Sequence, residues 1–68
     1  MALISQLKDL GFHVNEHKDF DGNYIASIWL HGEFITKAQT KDYYGVWRDC
    51  FSGQVLNAGY FLRELKIK

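Results

Sequence analysis

Phe12 and Val14 alternate with His13 and Asn15, and the stretches "YIASIWL" and "EFITK" that follow are set off by breaks at residues that turn a chain: "DFDGN" at 19–23 and "HG" at His31 and Gly32. Side chains on a strand point to opposite faces in turn, so this period of two predicts three strands folded back on one another. Asp, Gly and Asn tolerate positive φ or bond their own backbone, which suits the longer break to a hairpin loop. The shorter break fits a tight turn, although His is a poorer first residue there than Asn or Asp.

Those turns set the register. A loop at 19–23 pairs Lys18 with Tyr24, Val14 with Ile28 and His13 with Trp29. A turn at His31 and Gly32 pairs Leu30 with Glu33, Trp29 with Phe34, Ile28 with Ile35 and Ser27 with Thr36. One face then carries Phe12, Val14, Ala26, Ile28, Leu30 and Ile35, the composition of a core. The other carries His13, Asn15, His17, Ile25, Ser27, Trp29, Phe34 and Thr36, a mixture of imidazoles, small polar groups and large aromatics.

On either side the period lengthens. Leu3, Ile4, Leu7 and Leu10 lie at helical spacing with Gly11 suited to the left-handed turn beyond, so residues 2–10 read as a short amphipathic helix. Downstream, Tyr44, Trp47, Phe51, Val55 and Ala58 predict a second, long helix, with Thr40 as its N-cap and Gly59 at its end; Gly45 and Gly53 weaken it and leave open a break near Gly53. The tail 60–68 reads more as an edge strand, from "LKIK", than as a helix built on Phe61, Leu62 and Leu65.

The expected fold is therefore α+β in the order α-β-β-β-α, a three-stranded antiparallel sheet with both helices on one face and the tail as an additional edge strand. That order resembles the double-stranded-RNA-binding fold. The likeness is one of topology: the second helix would open on "TKDYY", one Lys beside an Asp and two tyrosines, rather than on a basic cluster.

Residues 1–68 leave room for one small domain, and 16% Phe, Trp and Tyr is enough to build its core. The single cysteine makes no intramolecular disulfide and no export leader opens the chain, so the expected setting is a reducing cytoplasm. Apolar runs of a few residues fall far short of the roughly 20 that span a bilayer, so no membrane partner is expected. Eight basic residues balance eight acidic ones. The molecule as a whole thus lacks the positive field that steers proteins onto nucleic acid.

Candidate chemistry is sparse. An EF-hand beginning at Asp19 needs a carboxylate at its twelfth position, and Leu30 stands there, so 19–23 is read as a turn. His13 and His17 lie about 13 Å apart along a strand, too far to share one zinc ion, and no ligand spacing brings in His31 or Cys50. Cys50 reads as a small buried residue of the second helix. Asp19 and Asp21, at a wet turn tip, have nothing to push their pKa values apart. No enzyme class, metal site or cofactor is indicated.

The aromatic sheet face remains. Aromatics are enriched where proteins meet, and a small chain gains from covering such a patch. Trp29, Phe34, Ile25, His13 and His17, with Tyr43 and Tyr44 beside them, are the expected contacts of a protein partner or a second copy of the chain. A non-enzymatic protein acting by surface occlusion follows. A cytoplasmic chain of this size suits a phage or mobile-element accessory role, including anti-defence inhibition of the anti-CRISPR kind. The alternative is a nucleic-acid-binding module that stacks bases on the same aromatics and holds phosphates with Lys18, Lys37, Lys41 and Arg48. Zero net charge ranks it second.

Overall fold

In the computed structural model, which describes residues 2–67 and their side chains as far as Leu65, α1 (Leu3–Asp9) turns Leu3, Ile4 and Leu7 inward. It ends where expected. The Phe12 amide donates to the Leu7 carbonyl (3.0 Å) and the Gly11 amide to that of Lys8 (3.1 Å), with Gly11 at φ 102°, a Schellman close that satisfies the last carbonyls. Lys8 then reaches Glu16 on the first strand at 3.2 Å.

Three strands follow: β1 (His13–Lys18), β2 (Tyr24–Leu30) and β3 (Glu33–Thr40). Asp19 builds the first connection itself, its Oδ1 accepting from the amides of Asp21 (3.0 Å) and Asn23 (2.9 Å). Led by the Asn23 bond, these contacts hold the Asp19 carboxyl below its usual range. The second connection has φ 52° at His31 and φ 79° at Gly32, the left-handed pair that a two-residue hairpin turn requires. Every pair expected between β1 and β2 is present.

The expected β2–β3 register needs one correction. Trp29 faces Phe34 and Leu30 faces Glu33, but a bulge between Ile28 and Trp29 sets Ile28 opposite Thr36 rather than Ile35. Ile35 is the extra residue. From there on every side chain of β3 exchanges faces, so Thr36, Ala38 and Thr40 point into the core and Lys37 and Gln39 away from it.

A larger correction follows Thr40. Residues 40–57 form no helix: the chain loops back as β4 (Trp47–Asp49), turns, and returns as β5 (Val55–Leu56), extending the meander to five antiparallel strands in the order β1-β2-β3-β4-β5. The α+β class holds with two strands more than expected, and the likeness to the double-stranded-RNA-binding order ends at β3. Local bonds decide this. The Thr40 hydroxyl, instead of capping a helix, donates to the Val46 carbonyl (2.7 Å) and accepts from the Asp42 amide (3.1 Å), closing a loop. Gly53, at φ 77°, takes a turn conformation that a helix interior excludes.

The tail is also corrected. It forms α2 (Ala58–Ile67), capped by Asn57, whose Oδ1 accepts from the Tyr60 amide (3.1 Å). Gly59 lies inside this helix rather than closing one. Phe61 enters the core edge-on to Phe12 with ring centroids 5.6 Å apart.

Both helices lie on one side. Leu3, Ile4, Leu7, Phe12 and Phe61 pack with Val14, Ala26, Ile28, Leu30, Ala38, Trp47 and Leu56 in one buried cluster. Two polar residues join the buried set by bonding each other: the Thr36 hydroxyl donates to Asp49 Oδ2 at 2.7 Å. Among the described residues no helix is long and apolar enough to cross a membrane.

Candidate functional site

Because α1 and α2 share one side, the other side of the sheet carries no described helix. Register places its side chains in three rows across the strands. At the His31–Gly32 end lie His13, Trp29 and Phe34; in the middle, Asn15, Ser27, Lys37 and Cys50; at the far end, His17, Ile25, Gln39, Arg48 and Val55.

The first row is aromatic. Trp29 and Phe34 meet edge-to-face at 5.3 Å between centroids, as the expected pairing requires, and Phe51 extends the row at 6.4 Å from Phe34. Phe34 is 42% and Phe51 73% exposed, which leaves apolar rings in water beside the half-buried Trp29. The Trp29 indole N–H is shielded from solvent and has no acceptor among the described residues. An unpaired buried donor is costly, so Trp29→Phe, which keeps a ring and removes the donor, is expected to melt within a few degrees of the wild type.

Phe51 is presented by Asp49. The Asp49 Oδ1 accepts from the amides of Phe51 (2.7 Å) and Ser52 (3.2 Å), while Oδ2 takes the Thr36 hydroxyl. Burial works against the charged carboxylate. The three donors outweigh it, and the Asp49 pKa lies below its ordinary 3.8.

The far row opens onto a cleft of about 420 Å³ lined by Asn23, Gln39, Thr40, Lys41, Val46 and Arg48. Its charged lining residues are both cations. Arg48 is steadied by one bond from its guanidinium to the Gly53 carbonyl (3.0 Å).

The expected contact residues divide between the two sides. His13, His17, Ile25, Trp29 and Phe34 stand together on the helix-free face, the histidines exposed and Ile25 half-buried. Tyr43 and Tyr44 do not join them. Tyr43 packs on Tyr24 and Trp47 at the helix side, and burial, with Glu16 accepting its hydroxyl, pushes its pKa up to about 12. Tyr44 leans on Tyr43 and is largely exposed. Lys18 sits over the Tyr24 ring at 5.3 Å, also away from the face. Thr36, expected on this face, is buried on the other.

Cys50 lies just past β4 and is half-buried rather than enclosed by a helix. Burial pushes its thiol pKa up, Asp49 adding to the effect and Lys37 opposing it. The residues that sequence reasoning missed are Phe51, Gln39 and Val55, all assigned to helical or buried positions or left unassigned. The alternation of Trp47, Arg48 and Asp49, followed by the turn-forming "SG", was the available signal for β4 and its turn. No family of known proteins, no curated protein and no solved structure matches this chain.

Proposed function

We propose that this protein is a non-enzymatic binding protein that acts by laying the helix-free face of its sheet on a partner, blocking the surface it covers. The observation that carries this reading is the row Trp29, Phe34 and Phe51, large rings meeting edge-to-face, the first two on the sheet and Phe51 on the turn after β4, with Phe34 and Phe51 in water. Large apolar groups on a flat, ordered platform bury area on contact at little cost in side-chain freedom, which is why aromatics dominate binding hot spots. The chemistry elsewhere supports a contact function over catalysis. The Cys50 thiol is held towards its protonated, unreactive form, and Asp19 and Asp49 are spent on their own turns.

The test is recovery of the tagged protein from its native host. Wild type is expected to elute well above the size of a 7.9 kDa monomer, and Phe51→Ala to elute as the free protein. Leu62→Ala, on the exposed side of α2, should behave as wild type. Equal loss of the complex in both variants, or in neither, would contradict the reading.

A further inference from the structure

We infer that the occupant of the helix-free face is a single-stranded nucleic acid, its bases on the aromatic row and its phosphates towards Lys37, Arg48 and the Lys41 cleft. This inference rests on the reading of that face as a contact surface.

Zero net charge conceals how the charges are sorted. Of the eight acidic residues, Asp9 and Glu64 lie on the helices, Asp19, Asp21 and Asp42 in connections, and Glu16, Glu33 and Asp49 on the helix side of the sheet by register. The helix-free face receives none of them. It receives Lys37 in its middle row and Arg48 in its far row, and Lys41 lines the cleft beyond. Two molecules sharing a net charge of zero can present opposite surfaces; here Lys37 and Arg48 give the face a positive excess, with Asp19 and Asp42 bonded to the cleft residues Asn23 and Thr40 at its edge, and that excess favours a negative occupant.

A second copy of the chain is disfavoured by the same charges. A two-fold contact sets a face against itself, which would bring Lys37 and Arg48 of one copy towards the cations of the other. An acidic protein surface would satisfy the cations but not Phe34 and Phe51, which need flat apolar partners to leave water. A nucleic acid supplies both groups along one strand. It must be single-stranded, because in a duplex the base faces are already stacked on one another and closed to a side chain.

The dimensions agree. From the Trp29 row to the Ile25 row is four residues along β2, about 13 Å at the rise of a strand, so rings and cleft lie within the reach of a few nucleotides. Asn15 and Ser27 lie between the two rows, with His13 in the first and His17 and Gln39 in the second, all carrying groups that hydrogen-bond to base edges or sugars.

The experiment is fluorescence anisotropy with labelled oligouridylate and oligothymidylate of roughly 12 nucleotides, a length within the usual site sizes, and a duplex of equal length as control. Both single strands are expected to bind and the duplex to bind more weakly. Three phosphate contacts on a single strand give a slope near −2 in log K against log salt, an affinity about 20-fold lower at 200 mM than at 50 mM. Phe51→Ala, at an exposed site, is expected to weaken binding about tenfold with the salt slope unchanged. Lys41→Ala should reduce the slope by about 0.7.

Absence of binding at 50 mM salt, or binding indifferent to Phe51→Ala and Lys41→Ala, overturns the inference. The two readings fail separately. If the complex recovered from the host depends on Phe51 yet survives nuclease, or proves to be a dimer of this chain, the face is a contact surface with a different occupant. If the recovered complex is indifferent to Phe51, the contact reading falls, and this inference with it.

Discussion

Trp47→Ala is expected to unfold the protein under conditions where the wild type is folded. The indole is fully buried, donates through Nε1 to the Tyr43 carbonyl at 3.0 Å and packs edge-on to the Tyr43 ring. Truncating a buried tryptophan costs about 3 to 5 kcal/mol, against a total of roughly 3 to 10 for a domain of 68 residues. Few contacts compensate, because β4 is three residues long and joins β3 through only two paired positions, Ala38 with Asp49 and Gln39 with Arg48. Thermal melting by circular dichroism checks this: a variant that retains a cooperative transition near the wild-type midpoint would contradict it. Trp29→Phe supplies the contrast, since it alters the sheet's other face and leaves the core filled.

Asp49 is the second residue of large effect. Asp49→Ala strips partners from the Thr36 hydroxyl and from the amides of Phe51 and Ser52 at a carboxylate only 5% exposed, with an expected loss of about 3 kcal/mol or more. Asp49→Asn keeps one acceptor oxygen and should lose less. The sign of the pH dependence follows from the lowered pKa. Because the folded value lies below the ordinary 3.8, the carboxylate's contribution is complete above that ordinary value and disappears as pH falls through the folded one. Denaturant midpoints measured from neutral pH into the acid range are expected to fall below about pH 4 in the wild type. The fall should be shallower in Asp49→Asn, and identical acid limbs would contradict the role given to this group. Since Asp49 also presents Phe51, its replacement is expected to disturb the aromatic row even where the fold survives.

The first half of the chain was legible because its constraints are local. Alternation placed His13, Trp29 and Phe34 on one face, and the Asp19 and His31–Gly32 turns fixed which residues meet. The bulge at Ile35 was not legible. Alternation continues formally through Ile35 and Thr36, and what turns Thr36 inward is Asp49, thirteen positions away in sequence. A buried polar pair of that separation leaves no periodic trace.

The second half misled for a different reason. Tyr44, Trp47, Phe51 and Val55 recur at helical intervals, yet only Trp47 among them is buried, so their spacing reflects three exposed side chains and one core anchor. The same exposure gives Phe51 its place in the proposed contact surface: a position read as a helix's inner face is the end of the aromatic row. Overall charge is silent in a related way, since a sum over the chain cannot express that, by register, no carboxylate of the strands falls on the helix-free face. The cap at Asn57, three residues before Tyr60, was readable as a helix start and would have assigned the tail correctly.

Above all we claim that the helix-free face is the surface this protein works with. A photoreactive benzophenone side chain placed in turn at Phe51, on that face, and at Leu62, exposed on α2, tests it directly in the native host. Irradiation is expected to yield discrete adducts from position 51 and none of comparable yield from position 62. Adducts from position 62 in equal or greater yield would contradict the claim.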